Sequence, residues 1–169
     1  MAEQSIRLEA PRPRGVYLHS IAEVPGTVAD QTFITLMNPA NSGRSMTLGT
    51  VALSYSNTSP ATEPAPMRGW RISAASGGTL IAAADIAKFN TLSPNSVAEV
   101  RVGAPTATFV YPVFNSPPPI DNRSSNVHTV DIPPGATFLM RPGEGIALRK
   151  EAGTTSAMWN ITIVWAELK

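Results

Sequence analysis

The sequence predicts an all-β fold, a jelly-roll-like two-sheet sandwich with an extended N-terminal arm, and three observations predict it. Sixteen prolines and 12 glycines are spread along the 169 residues. They cut the chain into pieces of about five to ten residues, which suits strands and leaves little room for helices. Charged residues make up only 15%, below the usual ~25%, so the chain lacks the Glu and Lys that solvated helix faces need. Near the C-terminus, Trp159, Ile161, Ile163 and Trp165 fall at every second residue, the period of a strand.

Taken in order, Met1 to Gly15 reads as the arm, and residues 16–169 as one sandwich domain. Alternating Pro and Arg in Ala10-Pro11-Arg12-Pro13-Arg14-Gly15 cannot pair as a central strand; a disordered tail is the competing reading. Gly15 to Ile21 is a short strand, closed by the turn Val24-Pro25-Gly26-Thr27. Gln31 to Asn38 is a firm strand, rich in β-branched and aromatic residues. After the tight connection Asn38 to Gly43, Ser45 to Tyr55 forms the next strand. Its apolar parity switches at Gly49-Thr50, between Met46/Leu48 and Val51/Leu53/Tyr55, as a β-bulge at a sandwich corner requires.

Asn57 to Pro66 is a loop and Gly69 to Ala74 a strand. Gly77-Gly78 turns into Thr79 to Ile86, either a strand or one helical turn. Leu92 to Ser96 connects to strands at Val97 to Val102 and Thr106 to Phe114. Ser116 to Asn122, with its Pro117-Pro118-Pro119 start, is a rigid exposed loop. Val127 to Ile132, Thr137 to Met140, Ile146 to Arg149 and Met158 to Leu168 complete the strands. In the last of these, Asn160, Thr162 and Glu167 are assigned to the paired or solvated face. Val164 and Leu168 show that this second face is not purely polar, which fits a central or covered strand.

The chemistry-bearing residues are sparse. There are no cysteines and only His19 and His128, too few and too isolated for a metal site. No Gly-x-Ser-x-Gly elbow marks a nucleophile. Asp121, Asp131 and Glu144 lie beside turns, where acids serve turn chemistry. Pro142-Gly143-Glu144-Gly145 lacks the Lys-Ser/Thr of a phosphate loop and leads into a strand. The expectation is a chain that is not an enzyme and takes no cofactor. A net charge of +1 argues against nucleic acid as a partner. No apolar run reaches the ~18 residues of a membrane span, and Met1 to Ala10 lacks the pattern of a signal peptide.

Contact residues are the better prospect. Lys88, Lys150 and Lys169 are the only lysines beside ten arginines (13 basic residues in all). Arg is favoured at interfaces, although a GC-rich genome would give the same bias. Candidate partner contacts are Arg12 and Arg14 of the arm, Trp70 with its neighbours Arg68 and Arg71, and Pro117, Pro118 and Pro119. Trp159 and Trp165 stand about 20 Å apart on one strand face, too far for one sugar ring, and suit core or interface packing.

Three segments resemble, in order, small β-sandwich virion proteins of tailed bacteriophages. They are Leu36-Met37-Asn38-Pro39-Ala40-Asn41-Ser42-Gly43-Arg44; Ser76-Gly77-Gly78-Thr79 with Ala98-Glu99-Val100-Arg101; and Arg141-Pro142-Gly143-Glu144-Gly145-Ile146-Ala147-Leu148-Arg149 ahead of a Trp-bearing last strand. The resemblance spans Phe33 to Leu168. It implies a capsid decoration or cement protein, or a tail or neck accessory, made in the host cytoplasm and located in the virion. The partners expected are its own copies, with trimers favoured, and the major capsid protein or tail and neck proteins. The alternative is a fibre-associated receptor- or glycan-binding module. The resemblance carries no catalytic residues.

Overall fold

The computed structural model describes residues 13–56, 66–116, 128–131, 138–151 and 158–168. Its strands are β1 (Pro13–Pro25), β2 (Thr32–Met37), β3 (Ser45–Ser56), β4 (Met67–Ser76), β5 (Thr79–Leu80), β6 (Ala87–Lys88), β7 (Glu99–Val102), β8 (Thr106–Ser116), β9 (His128–Asp131), β10 (Phe138–Met140), β11 (Gly145–Lys150) and β12 (Met158–Leu168). No helix occurs among the described residues. One sheet runs β10-β3-β12-β1-β6, with β9 also pairing β3; the other runs β5-β7-β2-β11-β4-β8. All pairs among the described strands are antiparallel, and four nest one within the next: β1 with β12, β2 with β11, β3 with β10 and β4 with β8. A chain doubled on itself and rolled up gives that order, which is the jelly roll.

The inner faces meet in one core. Trp159, Ile161, Ile163 and Trp165 of β12 are buried there with Met46, Leu48, Val51 and Leu53 of β3 and with Ile34, Leu36, Ile146 and Leu148 of the facing sheet. Tyr17 stacks on Trp165 at 5.9 Å and donates its hydroxyl to the Pro94 carbonyl. The predicted bulge is present. Leu48 pairs with Trp165 and Val51 with Ile163, so on the β12 side Gly49-Thr50 stand opposite the single residue Val164. The parity switch thereby lets both halves of β3 point inward.

Glu167 corrects the sequence reading. It has the parity of Trp165, not of Asn160, and is fully buried on the inward face. Asn160 and Thr162 do lie outward, binding the Glu23 N–H and the Ser20 hydroxyl of β1. Three other expectations shift. β1 starts at Pro13, which pairs with Leu168, so the arm's boundary at Gly15 falls inside a strand; the rest of the arm lies outside the described residues. Of Thr79 to Ile86, only Thr79–Leu80 is strand, and a turn from Ala82 to Asp85 follows. β6 had no sequence signal, being two residues held against β1.

β2 and most of β11 are buried on both faces, and the cause is a folded ribbon. Only Gly77-Gly78 separates β4 from β5, and only residues 103–105 separate β7 from β8. Ser76 pairs with Thr106 and Thr79 with Val102, so these four strands are one two-stranded ribbon with a corner. One arm joins the sheet through β4 beside β11, the other through β7 beside β2. The ribbon thus folds back over the outer side of β2 and β11. Beneath it lies a second small apolar cluster of Met37, Ile72 and Ala147, packed by Trp70, Ala75, Ala107 and Phe109.

Candidate contact surface

The outer face beside this cluster carries an aromatic and charged network. The Trp70 indole N–H donates to Glu151 at 2.9 Å, and its ring meets Phe109 edge-on at 5.5 Å. Arg68 lies over Trp70 at 5.6 Å, donates to Asn115 at 2.6 Å and pairs with Glu151 at 3.6 Å. Arg149 lies over Phe109 at 5.0 Å and pairs with Asp30 at 3.0 Å. Cation–π contacts and shared carboxylates fix these side chains in place before any partner arrives.

Of the sequence candidates, Trp70 and Arg68 fall in this network, each half-buried. Arg71 serves a different purpose. It pairs with Glu144 at 2.7 Å, donates to the Leu139 carbonyl at 2.7 Å and lies over Phe138 at 4.5 Å. It therefore ties β4 of one sheet to β10 of the other. Arg14 is exposed at the start of β1. Arg12, Pro117, Pro118 and Pro119 lie outside the described residues.

Sequence reasoning missed an exposed apolar strand edge. β8 ends its sheet, no described strand pairs its far edge, and Val110 and Tyr111 are 54% and 49% exposed. The run Phe109-Val110-Tyr111-Pro112-Val113-Phe114 was the available signal, because it does not alternate as a half-buried strand should. Phe89 and Leu92, exposed beyond β6, belong to a segment with no such pattern. The edge is guarded: three register shifts separate β8 from ideal pairing with β4, and Pro112 removes one N–H. Such devices resist open-ended strand addition and leave side chains, not backbone groups, as the surface offered here.

No group of three or more His, Asp or Glu among the described residues could hold a metal ion. His19, on β1, is held below its ordinary 6.5 by burial. The unfolded chain then binds a proton at this site more readily than the folded one, so stability rises with pH across that region and is lost as pH falls below it. Urea midpoints measured from about pH 5 to pH 8 should show this slope, and His19→Gln should flatten it.

The resembling segments meet in pairs. The Asn38 N–H bonds the Glu144 carbonyl, and the Gly143 N–H bonds the Asn38 carbonyl. The buried Asn38 amide donates to the Arg44 and Met140 carbonyls. Arg101 donates to the Gly77 carbonyl. These motifs are clasps between loops and account for local structure without any ligand. No protein-family model matches the chain, and no curated protein matches it in sequence.

Proposed function

We propose that this chain is a non-enzymatic structural subunit of a tailed-phage particle, a capsid decoration or cement protein. It would associate with copies of itself, as trimers, and with the major capsid protein or with tail and neck proteins, and so reside in the virion. The observation that carries this reading is the exposed, guarded apolar edge of β8 on a stiff sandwich, beside the ordered Arg68–Trp70–Phe109–Arg149 network. Aromatic and Arg side chains with little entropy left to lose are what interface hot spots use. A finite symmetric assembly also needs an edge that cannot propagate as a sheet. The ordered resemblance to phage β-sandwich proteins supports the same reading.

The test is sedimentation of the purified chain, alone and with assembled capsids and tails of the phage that encodes it. Association is expected, and Val110→Asp and Tyr111→Asp should weaken it about 10- to 100-fold while leaving the unfolding midpoint near that of the parent. A chain that stays strictly monomeric and co-sediments with neither particle would overturn the reading.

A further inference from the structure

A groove of about 380 Å³ opens between the β1–β2 loop and the corner of the folded ribbon. That volume is toward the lower end of the ~300–1,000 Å³ range of small-molecule sites. Its lining divides by chemistry. Phe109, Pro105 and Val28 supply apolar surface, whereas Asp30, Arg149 and Thr106 supply polar groups. The Asp30 side chain is about half exposed and the Arg149 side chain about a quarter, so both present polar atoms to the groove.

Two features mark this groove apart from an ordinary surface dent. The backbone is left-handed at Asp30 (φ 54°) and at Ala104 (φ 60°), two of the three described non-glycine residues with positive φ, and both line it. Non-glycine residues are held in that region where the surrounding structure over-determines them, often at ligand sites. In addition, the buried Gln31 Oε1 and Arg149 Nε lack hydrogen-bond partners. The Gln31 amide turns about a soft terminal torsion, so a donor brought into the groove would satisfy an acceptor that folding leaves unmet.

We infer that this groove binds a neutral carbohydrate. Among its lining side chains the one cation and the one anion are paired, Arg149 with Asp30, so the groove's charge is cancelled and favours neither an anion nor a cation, while the guanidinium's other N–H groups remain donors. A sugar matches the remainder. Its C–H face suits the exposed Val28 and the half-buried Phe109, and its hydroxyls both donate to Asp30 and Gln31 and accept from Arg149, with Thr106 able to do either. The groove shares Phe109 and Arg149 with the network beside the β8 edge, so a sugar titration read against a protein-concentration series separates this inference from the particle reading.

The experiment is titration of the isotope-labelled full chain with glucose, galactose, mannose, N-acetylglucosamine and rhamnose in turn, followed by amide chemical shifts. At least one sugar is expected to give saturable shifts confined to residues 28–32, 104–109 and 149. Asp30→Asn keeps a residue tolerant of the left-handed backbone, and Thr106→Trp fills the groove from an exposed strand position; each should weaken binding about tenfold or more. The inference falls if no sugar gives a saturable shift, if the shifts lie elsewhere, or if both variants bind as the parent does. It also falls if these amides respond to protein concentration instead of sugar, which would make the groove a subunit interface.

Discussion

Glu167→Ala is expected to lower folding stability by about 3–5 kcal/mol, the usual cost of breaking a buried charge pair from one side. Glu167 follows the tryptophans of β12 into the core, yet none of its carboxylate oxygens is left bare. Oε1 accepts from the Ser96 hydroxyl at 2.6 Å and the Val97 N–H at 2.8 Å, and Oε2 accepts from Arg44 at 3.2 Å. The Ser96 hydroxyl in turn accepts from the Ala98 N–H. One carboxylate thus fastens the end of β12 to the start of β3 and to the segment leading into β7. Alanine would strand the half-buried Arg44 and remove the acceptor from two donors at once. Glu167→Gln keeps the shape and one oxygen but sets an amide against Arg44, so a smaller loss of about 1–3 kcal/mol is expected. Urea unfolding with an unchanged m-value is the measurement. An alanine variant within about 0.5 kcal/mol of the parent, the range of unremarkable surface changes, would show that the network contributes nothing.

Glu167 also shows where the sequence was legible and where it was not. Period-two patterning placed β3 and β12, β-branched and aromatic content placed β2, and a single parity switch located the Gly49-Thr50 bulge, because those signals lie within one strand. The same counting applied to Glu167 would have put it inward; its charge argued it outward. What rescues that charge comes from Arg44 and Ser96, distant in sequence, and no local signal announces them. Arg71 is the parallel case, adjacent to Trp70 in sequence but turned to bridge the sheets. The outer network was half visible: Trp70 and Arg68 stood out, whereas Phe109, Arg149 and Glu151 join them only through the pairing of β4 with β8 and β11, and Asp30 only through that of β2 with β11. β6 and the groove depend wholly on the roll of the chain. The resembling motifs proved to be the loop clasps themselves, which explains why turn chemistry made them conspicuous.

The corner of the ribbon gives the second large effect, and two adjacent glycines separate its causes. Gly77 and Gly78 have φ of 64° and 58°, so alanine at either position must adopt a left-handed backbone, at about 1–2 kcal/mol. Their surroundings differ. A Cβ on Gly77 would meet nothing closer than Thr106 at 3.8 Å, whereas one on Gly78 would strike the Val102 carbonyl and the backbone of Pro105. Those are main-chain atoms, so the corner itself must open, adding about 1–3 kcal/mol for overpacking. Gly78→Ala is therefore expected to lose about 3 kcal/mol or more, and Gly77→Ala only the smaller backbone share. Opening the corner would also uncover the apolar cluster that the ribbon shields. Amide hydrogen exchange at Thr35 and Ala147, on the covered side of β2 and β11, should accelerate in Gly78→Ala beyond what its global destabilisation explains. Equal losses in the two variants, or exchange at those amides that merely tracks global unfolding, would mean that the ribbon does not depend on close packing at its corner, and that the burial of β2 on both faces has another cause.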